Sequence, residues 1–278
     1  MLCEPVKIEP DNKGLIFLYK TVPGRIALKL LSSRAVSYVA GSFMDSSLSC
    51  SLIPPFAARN NIDMQQYEDE IYTSFNSFFT RHIKPSLRQI DMSDDSFIAP
   101  CDGLLSAYHI HDGLVIPVKQ SEYSIYDLVK NKRIADMYKN GICLVFRLCV
   151  DHYHRYCYPD SGIKSQNVHI KGILHTVRPI ALRKDPVFTE NSREYTLIKT
   201  QNFGTVLMME VGAMLVGRIC NLHKKQEVCK GQEKGYFEYG GSTVILLVKK
   251  GKVTLPDILF DATDSGYEIP VKMGERIN

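Results

Sequence analysis

The sequence predicts an α+β protein, with N-terminal amphipathic helices beside a core of mostly antiparallel β-sheets. Three observations carry this. Before residue 90, apolar residues recur at helical spacing; after Pro100 they fall into short runs broken by glycine and polar turns. The 278 residues are 45% hydrophobic and 23% charged, enough apolar material for a sizeable core. The net charge of +4 is too weak to argue for nucleic acid, but it is compatible with an anionic membrane surface.

From Thr21 to Met44, Ile26, Leu30, Leu31, Val36 and Val39 lie near helical spacing with Arg25, Lys29 and Arg34 between them, which predicts one or two amphipathic helices. Such helices either pack on their own domain or lie among lipid headgroups with their cations toward anionic lipid. The charge-free run Ala35 to Met44 is far short of the roughly 20 residues a membrane-spanning helix needs. Between Asp63 and Leu87, Tyr67, Ile71, Phe75, Phe78 and Phe79 suggest a further helix. Its acids Glu68, Asp69 and Glu70 come early, its bases Arg81, His82 and Lys84 come late, and Pro85 supplies a stop.

Strands are expected at Leu114 to Val118, Ile142 to Val150, Val168 to Ile173, Tyr195 to Thr200, Thr205 to Val211, Met214 to Ile219 and Val244 to Lys249. Only Ser124 to Tyr138 breaks this series with a helical pattern. The chain thus divides into a helical region, 1–90, and a β-rich region, 91–278, with no repeat and no low-complexity linker.

Eight cysteines, among them Cys101, Cys149 and Cys157, form no C-x-x-C pair, and no secretory signal is apparent. They are expected to be reduced cytosolic thiols. Cys149, His152, His154 and Cys157 are close enough in sequence to suggest zinc, but zinc ligands normally come from two separated pairs, so no metal is expected.

Three places could carry chemistry. Asp102 stands in A-P-C-D-G-L, where an Asp-Gly pair also suits a turn. The stretch V-D-H-Y-H-R-Y-C-Y-P-D-S-G, Val150 to Gly162, packs two histidines, an arginine, a thiol, tyrosines and acids behind a strand. In E-Y-G-G-S-T-V-I-L-L-V, Gly240 and Gly241 precede Ser242, whose hydroxyl could attack the carbonyl on its N-terminal side if a base stood near. Asp102, His154 and Ser242 have the residue types of a charge relay. A serine hydrolase would use the same types. Against it, the chain has no G-x-S-x-G elbow, and a strand pattern rather than a helix follows Ser242.

Seven blocks in order give these residues a context: S-F-N-S-F-F-T-R (Ser74 to Arg81), A-P-C-D-G (Ala99 to Gly103), Y-H-R-Y (Tyr153 to Tyr156), L-H-T-V-R-P (Leu174 to Pro179), F-T-E-N-S-R-E (Phe188 to Glu194), V-G-A-M-L-V-G (Val211 to Gly217) and G-Y-F-E-Y-G-G-S-T (Gly235 to Thr243). Together they resemble the phosphatidylserine decarboxylases, in particular the bacterial type II enzymes. The resemblance implies that Ser242 cuts the chain at Gly241–Ser242 and becomes a pyruvoyl group, leaving a β chain (1–241) and an α chain (242–278). Asp102 matches the family's relay aspartate and His154 the first histidine of its D-Y-H-R-x-H motif. Cys157 stands where the motif has its second histidine and His152 where it has aspartate, so the relay duty falls to His154 or to another histidine such as His175. Gln120 stands where many relatives have glycine.

In the implied chemistry, His154, held by Asp102, draws the proton from Ser242, and the acyl group moves from nitrogen to oxygen. β-Elimination and hydrolysis then leave the pyruvoyl group, which forms a Schiff base with phosphatidylserine and takes up the electrons freed by loss of carbon dioxide, giving phosphatidylethanolamine. By the same resemblance, 1–90 faces the membrane and 91–278 is catalytic. The protein acts peripherally on anionic lipid at the cytoplasmic face of the cell membrane, and its processed units pair as a homodimer. A catalytically degenerate, membrane-binding relative is the alternative that Cys157 keeps open.

Overall fold

The structure, a computed structural model, describes all residues except 1, 8–12, 32–33, 112–113, 119–120, 174–186, 214–217 and 240–242. Helices α1 (Lys13–Lys20), α2 (Val22–Leu31) and α3 (Arg34–Met44) open the chain, so the stretch from Thr21 to Met44 forms two helices. Thr21 caps α2: its Oγ1 accepts the Gly24 N–H at 3.0 Å, satisfying one of the free amides of a helix start. Helix α4 (Ile53–Arg59) follows.

The expected helix over Asp63 to Leu87 is not formed as one piece. Only α5 (Phe75–Phe79) is α-helical, with short 3-10 turns at Met64–Gln66 and Pro85–Leu87. The reason is local. Tyr67 bridges Ile83 antiparallel and Glu68 N–H donates to His82 O, so the chain folds back on itself. Ser74, extended at φ −160°, starts a new helix through a capping box with Ser77.

The strands are β1 (Val6–Lys7), β2 (Gly103–His109), β3 (Leu114–Val118), β4 (Ser121–Ser124), β5 (Ile142–Arg147), β6 (Arg155–Cys157), β7 (Gly162–Lys164), β8 (Val168–Ile170), β9 (Arg193–Thr200), β10 (Thr205–Val211), β11 (Ile219–Asn221), β12 (Gln226–Val228), β13 (Glu233–Phe237), β14 (Thr243–Val248) and β15 (Tyr267–Val271). Between them lie α6 (Ile125–Val129), α7 (Lys132–Asp136), α8 (Val187–Glu190) and α9 (Asp257–Asp264). The helical pattern from Ser124 to Tyr138 is thus two short helices: Lys130 takes a left-handed conformation (φ 51°) and Asn131 caps the second. It is also not the only helix after Pro100, since α8 and α9 join it.

Ten strands form one sheet in the order β1-β15-β2-β5-β14-β10-β9-β7-β12, with β8 also paired to β9, and these named pairs are antiparallel. The register Leu105↔Phe146↔Val244 puts alternate residues on opposite faces. Val145, Ile245 and Met209 pack with Tyr19 of α1, Leu28 of α2 and Leu128 of α6 on one face. Phe146, Val244 and Leu246 pack with Tyr156 and Phe237 of a second sheet, β11-β13-β6, and with Leu259 of α9 on the other. Strand β14, the expected strand after Ser242, is buried along its whole length at the middle of this sandwich.

Candidate functional site

One end of the large sheet collects several of the residues that the sequence singles out, Asp102 and His152 among them. Strand β14 begins at Thr243, which is paired with Arg147 at the end of β5 and with Val211 at the end of β10. Arg147 faces Leu104, next to Gly103, which faces Val271 at the end of β15. Asp102 therefore enters at this end and His152 and His154 follow β5 out of it. Gly103 lies close against Arg147, whose carbonyl oxygen is 3.1 Å from where a Cβ would sit. Gly240, Gly241, Ser242, His175 and Gln120 lie outside the described residues.

Asp102 is buried, and both its oxygens are engaged. Arg88 Nε donates to Oδ1 at 2.7 Å, a second guanidinium nitrogen donates to Oδ2, and the Met273 N–H donates to Oδ1 at 2.9 Å. This two-pronged contact is the geometry in which arginine binds carboxylate most strongly. Next to it, Arg147 grips Glu268 through two hydrogen bonds of 3.0 and 2.5 Å and donates to Cys149 Sγ at 3.3 Å. Arg88 and Glu268 carry no motif in sequence. Their partners, pairs of opposite charge at the ends of β2, β5 and β15, are visible only once the sheet is assembled.

The two histidines are fixed by backbone groups in opposite ways. His154 Nδ1 lies 2.9 Å from the His152 carbonyl oxygen, which can only accept, so Nδ1 carries the proton and Nε2 is the ring's acceptor. His152 Nδ1 lies 3.1 Å from the Cys149 N–H, which can only donate, so in the neutral ring the proton is on Nε2. Burial, then the charge of Arg81 and of His152, holds His154 well below the ordinary histidine value; burial also lowers His152, against the opposing pull of Asp151 and Asp102. Both rings are therefore neutral at pH 7. Among the described residues no hydrogen bond joins Asp102 to His154: the imidazole is oriented by a peptide carbonyl, and the carboxylate by Arg88.

His154 is buried beneath the ring of Phe79, with centroids 4.0 Å apart, and Phe79 meets Tyr239 edge-on at 5.2 Å. The Phe237 N–H donates to His154 O at 2.9 Å and the Tyr239 N–H to Asn76 Oδ1 at 3.2 Å. The chain entering the G-G-S-T stretch is thus anchored against the histidine. Beyond the stretch, Thr243 Oγ1 is buried with no hydrogen-bond partner among the described residues.

The four residues weighed as zinc ligands divide. Cys149 and His152, with Asp151, have ligand atoms within 4.8 Å of one another, and neither His154 nor Cys157 joins them. In the tautomer the Cys149 amide imposes, His152 has no spare lone pair for a metal. Cys157 is fully buried and its thiol is pushed up to about 12, mainly by burial, so it has no thiolate character at neutral pH.

Behind the sheet end lies a polar network that the sequence did not announce. Lys234 and Glu210, both fully buried, pair at 2.7 Å, and Asn221 Nδ2 donates to Glu210 at 3.1 Å and to Glu194 at 2.9 Å. Glu210 Oε1 has no partner among the described residues, and burial raises the carboxyl above the usual range. Its only signal in the sequence was an acid at a strand end beside V-G-A-M-L-V-G.

Buried ion pairs and histidines with imposed tautomers, gathered at the end of a covered sheet, have the character of an enzyme site rather than of a docking face. The family model described as phosphatidylserine decarboxylase matches residues 75–278. The chain is 43% identical over 267 residues to phosphatidylserine decarboxylase proenzyme 2 of Clostridium acetobutylicum, covering 96% of this chain and 91% of that protein. A Clostridium botulinum phosphatidylserine decarboxylase proenzyme is 40% identical (96% and 92% covered), and one from Clostridium tetani is 42% identical (87% and 83% covered). The chain belongs to the phosphatidylserine decarboxylase family.

Proposed function

We propose that this chain is a phosphatidylserine decarboxylase proenzyme that cuts itself at Gly241–Ser242 and, once processed, converts phosphatidylserine to phosphatidylethanolamine and carbon dioxide. The observation that carries the site assignment is the tautomer of His154 beside the anchored flank of the scissile stretch. Ser242 follows Tyr239 by three residues, a reach of about 10 Å at most, and is bonded to Thr243 at the head of β14. A neutral, buried imidazole with Nε2 as acceptor is a base ready to take the Ser242 hydroxyl proton.

The Ser242 oxygen then attacks the Gly241 carbonyl carbon, and the acyl group passes from nitrogen to oxygen. Loss of the residue 242 α-proton expels the acyl group as the carboxylate of Gly241. The dehydroalanine left behind takes up water, releases ammonia, and becomes the pyruvoyl end of an α chain, 242–278. Thr243 supports the fit of such a group: its buried Oγ1, without a partner among the described residues, is a donor one residue from the new carbonyls. When present, the pyruvoyl group supplies the electron sink for decarboxylation. Asp102, locked to Arg88, serves by fixing the loop at the head of β2 and the charge around His152.

Docking on anionic lipid, at the cytoplasmic face of the cell membrane, falls to region 1–90. Val22, Ile26, Tyr38 and Val39 are 63–77% exposed on α2 and α3, with Lys20 and Arg25 exposed beside them. No helix among the described residues is long and apolar enough to cross a membrane. Pairing of processed units as a homodimer rests on the family resemblance.

Intact-mass analysis of the wild type beside Ser242→Ala and His154→Ala tests the reading. The wild type should give two fragments, the smaller with a pyruvoyl N-terminus. Ser242→Ala should remain one inactive chain, and His154→Ala should cleave at least a hundredfold more slowly, as expected on removing a general base. Normal cleavage of His154→Ala would move the relay to another histidine, with His175 the next to test.

A further inference from the structure

A cleft of about 240 Å³ opens at the same sheet end, lined by Arg88, Asp102, Asp151, His152, Val271 and Lys272 among others. The relay described above uses His154 and leaves His152 without a task. His152 is half-buried, its Nδ1 is taken by the Cys149 N–H, and its remaining polar atom is an Nε2–H. Among the described residues no group accepts that proton, Nε2 is not sealed from solvent, and the residue lines the cleft.

We infer that His152 is a substrate-binding residue whose Nε2–H holds the carboxylate of the amino-acid headgroup in this cleft. The inference rests on the proposed decarboxylase function and adds a residue to it. A neutral donor suits a carboxylate that must leave as carbon dioxide. A full ion pair would stabilise the charged ground state and raise the barrier to its loss, whereas an uncharged N–H orients it at little cost. Of the cleft's two cations, Arg88 is already committed to Asp102, and Lys272 is an exposed side chain whose charge suits the phosphate of the same headgroup. The backbone amide of Cys149 makes the arrangement specific: a ring with its proton on Nδ1 would set N–H against N–H. The product lacks the carboxylate, so contact with His152 separates substrate from product.

The test uses the processed enzyme on mixed vesicles, with phosphatidylserine as substrate and phosphatidylethanolamine as competing product. His152→Phe keeps a ring and removes the donor; His152→Gln carries an N–H at the place of Nε2; His152→Asn is polar but too short to reach it. All three should still split into β and α chains. His152→Phe and His152→Asn should raise KM about tenfold, the scale of one lost hydrogen bond, with kcat within threefold. His152→Gln should recover most of the loss, and inhibition by phosphatidylethanolamine should not change. An unmoved KM in both His152→Phe and His152→Asn overturns the inference alone, as does equal weakening toward substrate and product, which would assign the contact to the phosphate. A wild-type chain that releases no carbon dioxide overturns the proposed function and this inference with it.

Discussion

His152 and His154 stand two residues apart and carry their neutral protons on different nitrogens, because one faces a backbone N–H and the other a backbone carbonyl. A consequence is a dependence of stability on pH. Each histidine has an ordinary value of 6.5 in the unfolded chain and a lower one when folded, chiefly through burial. Below pH 6.5 the unfolded chain therefore binds more protons than the folded one. Stability is complete above that value and falls as pH drops toward the folded values, at about 1.4 kcal/mol per pH unit for each histidine within its window. Urea midpoints measured from pH 7.5 to 5 should decline below 6.5, and His154→Gln should flatten the decline. The ion pair of Arg88 with Asp102 gives a second expectation. Their side chains are only 9% and 8% exposed, so Asp102→Ala leaves a buried guanidinium unpaired and should cost about 3–5 kcal/mol in denaturant titrations. The double variant Asp102→Leu/Arg88→Met should cost clearly less, because it leaves no orphan charge.

Elements repeat the lesson that local pattern and assembled structure inform different things. Helices α2 and α3 were legible because an amphipathic stripe is a local property, and β10 and β14 because a central strand is a continuous apolar run. The stretch from Asp63 to Leu87 has the same apolar spacing as a helix, yet its aromatic residues are used in separate places. Tyr67 stacks under Arg81, with the guanidinium carbon 4.1 Å from the ring centroid, while Phe75 and Phe79 pack on Phe56 and Tyr239. Those contacts reach across the chain, and spacing could not announce them. For the same reason Asp102 and His154 could be picked out from the sequence as residue types, but Arg88, Glu268 and the Glu210–Lys234 pair could not. Their role comes from a partner elsewhere in the fold, 121 residues away in the case of Arg147 and Glu268. The outward faces of α2 and α3 give the prediction at this scale. Ile26→Glu or Val39→Glu alters a side chain already 63% or 67% exposed, so thermal stability should hold to within about 0.5 kcal/mol. Sedimentation with phosphatidylserine-containing vesicles should fall several-fold; undiminished binding would take the docking role away from these helices.

At the scale of the whole molecule, the proposed self-cleavage raises the question of why two chains would remain one protein. The α chain would begin at β14, which lies between β5 and β10 with hydrogen bonds to both, and would end with β15 between β1 and β2. Both are interior strands, and every partner just named belongs to the β chain. Helix α9, joining them, is tied to β2 by the Thr263 hydroxyl, which accepts the Ala107 N–H at 2.9 Å. Even the last residue is held, since Asn278 Oδ1 accepts the Phe97 N–H at 2.7 Å. Burial of the five aliphatic side chains Val244 to Val248, each fully buried, contributes on the order of 10 kcal/mol by itself. Ile269, Val271 and Leu259 add to it, and the ladders on both sides of β14 would be left unpaired if the strand withdrew. Cleavage should therefore break one peptide bond without releasing the fragment. Size-exclusion chromatography in native buffer should show both chains in one peak, and unfolding in guanidinium should remain a single transition in which the α chain and the β chain separate together. A small fragment eluting alone from the native column would mean that β14 does not hold its place between β5 and β10 once its N-terminal bond is cut.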